Sequence, residues 1–131
     1  MEGATEVIRS CIASMGIPMD NVIGDFPLSS ESILMGEADL VVVGEKNVLV
    51  EIKCSSAYKA SDMREPGCAK HLLQVFAYVA LGRHGVFPLE VDVACIVNPL
   101  TGAWEIYDMT TWSHDDSLLF LRCMEDIRER V

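Results

Sequence analysis

Apolar side chains near the start of the chain recur at intervals of three and four residues, which is the spacing of one face of a helix. They span residues 3–15, and Gly16 follows as a stop signal. This spacing predicts an amphipathic helix over 3–15. Residues 17–31 are rich in proline, glycine and serine, so no regular element is predicted there.

Two valine-rich runs follow, over residues 32–43 and 48–54, and a short polar segment separates them. Their composition and length predict the two strands of a hairpin. Apolar residues occupy both faces of each run, as expected when a sheet is covered on both sides. The sequence CAKHLLQVFAYVALG then predicts a helix over 68–82, with Pro66 suited to its first turn and Gly82 to its end.

The remaining pattern repeats the alternation of strands and helix. Two strands are predicted over 89–97 and 103–109, around the turn-forming sequence NPLTG. An amphipathic helix is predicted over 113–131, and Ser113 begins a capping pair at its start. This order indicates one α/β domain over 1–131, in which a central mixed sheet of about four strands has helices on both sides.

Composition narrows the class of protein. The 131 residues are half hydrophobic, which is enough for one domain with its own core. No apolar run approaches the roughly 18 residues of a membrane span, and the first residues do not resemble a signal peptide. We therefore expect a soluble intracellular protein without membrane contact. The five cysteines are scattered and form no CxxC pair, which argues against a zinc knuckle and favours reduced, mostly buried thiols.

Three charged residues interrupt the otherwise apolar hairpin: Asp39, Glu51 and Lys53. Burying a charge is costly unless it is paired or coordinates a metal. A three-residue loop over 45–47, with Asn47 in the left-handed region, would set Lys53 opposite Asp39 and gather all three charges on one face. A structural ion pair between Asp39 and Lys53 is the simpler interpretation, but the additional carboxylate favours a functional site.

The order of these residues resembles the PD-(D/E)xK nuclease superfamily. Asp39 precedes an ExK triplet at 51–53, and Gln74 and Tyr78 match the QxxxY motif of the branch that contains RecB and lambda exonuclease. Residues four apart project from the same side of a helix, as this motif requires. The resemblance covers roughly residues 31–109, and it implies a restriction-endonuclease-like core.

The resemblance also implies a metal site. Asp39 and Glu51 would bind one or two divalent ions, with the backbone carbonyl of Ile52 as a further ligand. Mg²⁺ or Mn²⁺ prefers oxygen ligands of this kind. The family often adds an acidic residue from the first helix, for which Glu6 is a weak candidate. The sequence departs from the family at Ala38, where many members have a proline before the aspartate.

Catalytic roles for Lys53, Gln74 and Tyr78 follow from the same resemblance. Lys53 would orient or activate water and offset charge on the phosphate. Gln74 and Tyr78 would position that water, Lys53 or the nucleic-acid backbone. The implied activity is metal-dependent hydrolysis of phosphodiester bonds in nucleic acid, with DNA favoured over RNA.

The net charge leaves two alternatives open. A formal charge of −10 opposes simple nucleic-acid binding, because contacts to phosphates require lysine and arginine. One alternative is a catalytically weak or inactive module on a nuclease fold that binds a protein partner. The other is an RNA endonuclease similar to the viral cap-snatching enzymes. For a nuclease of this size, a protein partner or a homo-oligomer would supply additional grip on the substrate.

Overall fold

The computed structural model describes residues 2–19, 21–30, 34–53 and 66–130. Within these ranges the chain forms three α-helices, five β-strands and a short 3₁₀ turn. In chain order they are α1 (Glu2–Ser14), β1 (Val22–Ser29), β2 (Met35–Val42), β3 (Val48–Ile52), α2 (Pro66–His84), β4 (Val93–Asn98), β5 (Ala103–Asp108), the 3₁₀ turn (Met109–Thr111) and α3 (His114–Arg130).

All five strands belong to one mixed sheet, whose spatial order β1-β2-β3-β4-β5 follows the order of the sequence. The first three strands form an antiparallel meander, β3 and β4 are parallel, and β5 returns antiparallel to β4. Parallel neighbours need a long crossover connection, and α2 lies in the connection between β3 and β4. The predicted α/β class, with a mixed sheet flanked by helices, is confirmed.

The sheet has one strand more than the sequence predicted. Strand β1 lies within the turn-rich stretch 17–31, where no element was expected. It is an edge strand, a position that tolerates proline because no neighbour needs the missing N–H, and Pro27 is paired opposite Glu37. Asp25, with φ of 51°, interrupts the pairing. The glycine, the proline and the left-handed residue interrupt the alternating pattern that is typical of a strand, so the sequence did not predict β1.

Each face of the sheet packs against a different helical layer, as the apolar pattern of the strands predicted. On the side that we call the α2 face, alternate strand residues such as Leu49 and Ile96 pack with Val79 of α2 and Leu121 of α3. The other side, the α1 face, is covered by α1. Its core is wholly apolar and is formed by Cys11, Ile12, Val42, Val48, Val50, Cys95 and Val97.

The hairpin register differs from the predicted one by two residues. Leu40 is paired with Val50, so the connection between β2 and β3 has five residues rather than three. Continuing this register sets Asp39 opposite Glu51, not opposite Lys53 as predicted. A shift by two leaves every side chain on its original face, because strand side chains alternate with a period of two. The grouping of the three charges on one face therefore survives the error.

The loop residue Asn47 has a different role from the predicted one. Asp25 is the only non-glycine residue with positive φ in the described parts of the chain, so Asn47 is not left-handed. Its side chain instead accepts a hydrogen bond from the N–H of Gly44 and donates one to the carbonyl of Glu90, at 3.3 and 2.9 Å. Its own N–H donates to Asp92. Asn47 thereby joins the hairpin to the segment before β4.

The helices agree with prediction in number and differ at their ends. Helix α3 begins after Ser113, whose hydroxyl accepts the N–H of Asp116 at 3.0 Å, as a capping residue should. Helix α2 continues two residues past Gly82, its predicted end. No helix in the described ranges is long and apolar enough to cross a membrane.

Gly82 has a packing role instead. A Cβ atom at this position would lie 2.6 Å from the carbonyl oxygen of Leu89, and the N–H of Leu89 donates to the carbonyl of Gly82 at 2.7 Å. The segment before β4 therefore crosses α2 at backbone contact. Only a residue without a side chain allows this approach.

Among the cysteines, Cys11 and Cys95 are buried and Cys123 is exposed, all as free thiols. The prediction of reduced thiols that are mostly buried agrees with these three. Cys54 and the side chain of Cys68 lie outside what the structure describes.

Substitution Gly82→Ala should lower the free energy of unfolding by roughly 1 to 3 kcal/mol, because the added methyl group forces backbone atoms apart. Urea unfolding followed by circular dichroism measures this change. Gly44→Ala is the matched control, since a Cβ there meets nothing closer than 4.0 Å. Equal stability of the two variants would contradict the packing role of Gly82.

Candidate active site

Strands β2 and β3 stop pairing through their backbones after Leu40 and Val50, and side chains bridge the gap beyond that point. The N–H of Ile52 donates to Oδ2 of Asp39 at 2.7 Å, and the N–H of Asp39 donates to Oε1 of Glu51 at 3.2 Å. Each carboxylate thus binds the backbone of the opposite strand. This exchange holds the two acidic side chains next to each other on the α2 face.

The environment of Glu51 disfavours its charged form. The residue is only 2% exposed. Burial, and secondly the negative charge of Asp39, raise the pKa of Glu51 to about 7, although the Asp39 N–H and Lys53 act in the opposite direction. One of the two acids therefore titrates near neutral pH. Such a pair of interacting carboxylates is a frequent feature of functional sites.

A chain of hydrogen bonds extends from Lys53 to helix α2. The Nζ of Lys53 donates to Oε1 of Gln74 at 2.7 Å, and Nε2 of Gln74 donates to the hydroxyl of Tyr78 at 3.2 Å. The backbone N–H of Lys53 donates to the carbonyl of Val97, which fixes the end of β3 against β4. Both ends of the Gln74 amide are thus engaged, and its orientation is set by its two partners.

Tyr78 occupies a place that a glycine keeps open. A Cβ atom on Gly36 would lie 2.5 Å from Cε1 of Tyr78 and 3.1 Å from its hydroxyl oxygen. Burial, followed by the negative charge of Glu51, raises the pKa of the Tyr78 hydroxyl. Sequence reasoning missed Gly36 as part of the site. The available signal was a glycine within a strand, which often marks close approach of another group.

The structure brings together all five residues predicted to be catalytic, Asp39, Glu51, Lys53, Gln74 and Tyr78. The backbone of Ile52, whose carbonyl was a predicted metal ligand, lies beside Asp39 through the hydrogen bond of its N–H. Glu6 is not brought to this group: it is exposed on α1, and α1 covers the opposite face of the sheet. The apolar side of α1 turns toward the sheet, so its polar residues point away.

The oxygen atoms of this group fit a hard divalent cation. No group of three or more His, Cys, Asp and Glu side chains suited to a metal occurs among the described residues. Of those residues, Asp39 and Glu51 would be the acidic ligands. Mg²⁺ commonly binds to one or two carboxylates and keeps several water ligands. Burial, and secondly the charge of Asp39, raises the pKa of Glu51, and a cation beside the two carboxylates would favour its charged form. The carbonyl of Ile52 would be the additional oxygen ligand.

No model of a known protein family matches the sequence, and no curated protein matches it.

The titration of Glu51 should appear as a pH dependence of stability in metal-free buffer. The unfolded chain releases this proton near pH 4.5, whereas the folded chain retains it to about 7, so stability should fall as pH rises through this interval. Above it, the charged form of Glu51 should cost the folded protein roughly 3 kcal/mol. Urea unfolding at several pH values should show this loss in the wild type and not in Glu51→Gln.

The control for this experiment is Glu45→Gln, which removes an acid of the same type from the exposed hairpin loop. Its pH dependence should follow that of the wild type. A Glu51→Gln variant that keeps the wild-type slope would show that Glu51 ionises at an ordinary pH in the folded protein.

Substitution Gly36→Ala should displace the ring of Tyr78 and break its hydrogen bond with Gln74. Gln74 is the only glutamine in the sequence, so selective ¹⁵N labelling of the glutamine side chain gives one pair of amide signals that belongs to Gln74. We expect these signals to shift in Gly36→Ala and to stay in place in Gly24→Ala, where an added Cβ meets nothing closer than 3.9 Å. Unchanged signals in Gly36→Ala would contradict the contact.

Proposed function

We propose that this protein is a divalent-metal-dependent nuclease of the PD-(D/E)xK type, which hydrolyses phosphodiester bonds of nucleic acid, with DNA as the favoured substrate. One observation carries the proposal. Two acids, a lysine, a glutamine and a tyrosine from two strands and one helix meet where β2 and β3 separate. A structural ion pair would not require this number of polar groups on a largely apolar face.

The topology supports the same proposal. An initial helix, an antiparallel meander, a crossover helix and a parallel strand form the order expected of a restriction-endonuclease-like core. The acidic residues lie on the second and third strands of the meander, and the QxxxY residues lie on the crossover helix. This distribution of the residues over the elements supports the proposal.

Asp39 and Glu51 would hold Mg²⁺ or Mn²⁺, together with the carbonyl of Ile52. When bound, the metal would supply Lewis-acid polarisation of a phosphoryl oxygen. Glu51 has to lose its proton before it can act as a ligand, so loading of the site is favoured above about pH 7. The two backbone N–H donors keep the carboxylates oriented before any metal arrives, which lowers the cost of organising the site.

Lys53 would act on the substrate with its ammonium group. Its position beside two carboxylates allows it to offset negative charge on a phosphate and to orient the attacking water. Gln74 would be a positioning residue, because its Oε1 accepts from Lys53 and so restricts where the ammonium group can lie. Tyr78 restrains Gln74 in turn through the hydroxyl that accepts from Nε2.

The net charge of −10 favours a second candidate, a nuclease-fold module that binds a protein partner and has little or no catalytic activity. An acidic surface repels nucleic acid unless metal ions or a basic partner compensate for it. The two candidates differ in their need for metal: a binding module has no reason to respond to Mn²⁺ through Glu51. We also propose an intracellular location, where a nuclease of this kind meets its substrate.

The test is cleavage of end-labelled single-stranded DNA, double-stranded DNA and RNA in the presence of Mg²⁺, Mn²⁺ or a chelator. We expect metal-dependent cleavage that falls roughly 100-fold or more in Lys53→Ala, because the charge near the phosphate is lost. Lys46→Ala, which removes an exposed lysine from the loop of the same hairpin, should retain wild-type activity. Equal activity of the two variants would remove Lys53 from the mechanism.

A thermal shift measurement completes this experiment and separates the two candidates. Mn²⁺ should raise the melting temperature of the wild type and not that of Glu51→Gln, since a ligand stabilises only a protein that binds it. Cleavage absent in every lane, together with a melting temperature indifferent to Mn²⁺, would favour the binding module. RNA cleavage without DNA cleavage would identify an RNA endonuclease.

A further inference from the structure

Two cysteine thiols meet in the core of the α1 face. Cys11 on α1 and Cys95 on β4 are both 0% exposed, and both are free thiols. The thiol of Cys95 donates a hydrogen bond to the sulfur of Cys11. The other buried residues of this core are aliphatic, so the two sulfur atoms face each other in apolar surroundings.

Regular secondary structure positions both thiols. Cys11 lies beside Ile12 on the side of α1 that packs on the sheet. Cys95 is paired with Val50 of β3, and strand alternation places its side chain on the same face as that of Val97. Cα atoms of α1 and β4 lie within 8 Å of each other where the helix packs on this strand. The contact is thus set by a helix and an interior strand.

This arrangement suits a disulfide. The S–S bond is only about 2.05 Å long, so it forms where two cysteine side chains already point toward each other. The hydrogen bond between Cys11 and Cys95 shows that they do so, because it joins one sulfur atom to the other. Closing the bond then requires a further approach of the two sulfur atoms and no rearrangement of the strands.

The hydrogen bond makes the two thiols unequal. It lowers the pKa of Cys11, in opposition to burial, because the S–H of Cys95 stabilises the thiolate. The same hydrogen bond, and secondly burial, raises the pKa of Cys95. The thiolate is the reactive form of cysteine. Cys11 would therefore attack an oxidant first, and Cys95 would react in the second step.

We propose that Cys11 and Cys95 are a redox-active pair, which hydrogen peroxide oxidises to a disulfide that joins α1 to β4. The Cys11 thiolate attacks one peroxide oxygen: an S–O bond forms, the O–O bond breaks, and the leaving hydroxide takes up the proton that Cys11 had released. Cys95 then attacks the sulfenic sulfur of Cys11, so that an S–S bond forms and the S–O bond breaks. The second hydroxide leaves as water with the proton of Cys95. The two thiols lose two electrons, and the peroxide gains them.

The disulfide should act on the stability of the fold. More than half of the chain lies between Cys11 and Cys95, and a disulfide stabilises a protein more when it closes a longer loop. In a reducing compartment the two thiols remain reduced until an oxidant acts on them. This proposal does not depend on the catalytic one, because the pair lies on the face of the sheet opposite to Asp39 and Glu51.

Peptide mapping of the oxidised protein tests the pair. Trypsin cleaves after lysine and arginine, so each of the five cysteines falls in a different peptide: 10–46, 54–59, 65–70, 84–122 and 123–128. The folded, reduced protein is treated with hydrogen peroxide, and the remaining thiols are blocked with N-ethylmaleimide in urea. Mass spectrometry of the unreduced digest should show peptide 10–46 linked to peptide 84–122. Reduction should separate the two peptides.

The same treatment in urea is the control for this map. Unfolding separates the two thiols, so the link between 10–46 and 84–122 should no longer predominate over other pairs. The folded sample is followed over hours, because two buried thiols meet the oxidant only during local opening of α1. Recovery of Cys11 and Cys95 as maleimide adducts from that sample would overturn the proposal, as would a link from either residue to a different cysteine.

Thermal unfolding measures what the bond does to the fold. Oxidation should raise the melting temperature of the wild type by roughly 10 °C, and dithiothreitol should reverse the rise. Cys11→Ala, shown by circular dichroism to be folded, should lose this response. Cys123→Ala makes the same substitution at an exposed position of another helix and should keep it. An equal rise in the two variants would assign the response to a different pair of thiols.

Discussion

The candidate site depends on a reciprocal pair of hydrogen bonds between carboxylates and backbone. Where β2 and β3 cease to pair, Asp39 and Glu51 each accept an N–H from the opposite strand. This exchange satisfies backbone donors that the separation of the strands would otherwise leave without partners. It also holds Glu51 in a buried place beside Asp39, and burial, followed by the charge of Asp39, raises the pKa of Glu51. In the proposed function, a bound cation would offset this cost by favouring the charged form of Glu51.

The fold places this pair within reach of α2. The sheet is apolar on both faces, so each face must be covered. Helix α2, which lies in the crossover between the parallel strands β3 and β4, covers the α2 face. Lys53 is held by the backbone of β4 at one end and by Gln74 of α2 at the other. A lysine side chain is flexible when free, so these two attachments reduce the conformational freedom that it would lose on meeting a phosphate.

Periodicity explains both the successes and the errors of sequence interpretation. The hairpin was predicted with the correct faces and the wrong partners, because any loop with an odd number of residues preserves the face while only one length gives the true register. The one-turn spacing of Gln74 and Tyr78 was sufficient to place them together on α2. Strand β1 depends on its edge position, and the role of Gly36 depends on a ring that is distant in the sequence. Neither produces a periodic pattern of apolar residues. Glu6 was predicted to join the site from the order of the family's motifs, and that order does not specify which face of the sheet a helix covers.

The contact between Gly36 and Tyr78 has a consequence for how α2 is aligned with the sheet. Aliphatic side chains such as valine and leucine can pack in more than one arrangement of similar volume, so by themselves they specify the alignment of a helix less uniquely than a contact of particular shape. A large ring fitted into the space above a missing side chain has no equivalent position one turn away. The contact between Gly36 and Tyr78 therefore fixes both the axial position and the rotation of α2 on the sheet. In this way a residue without functional groups determines where the polar groups of its neighbour are aimed.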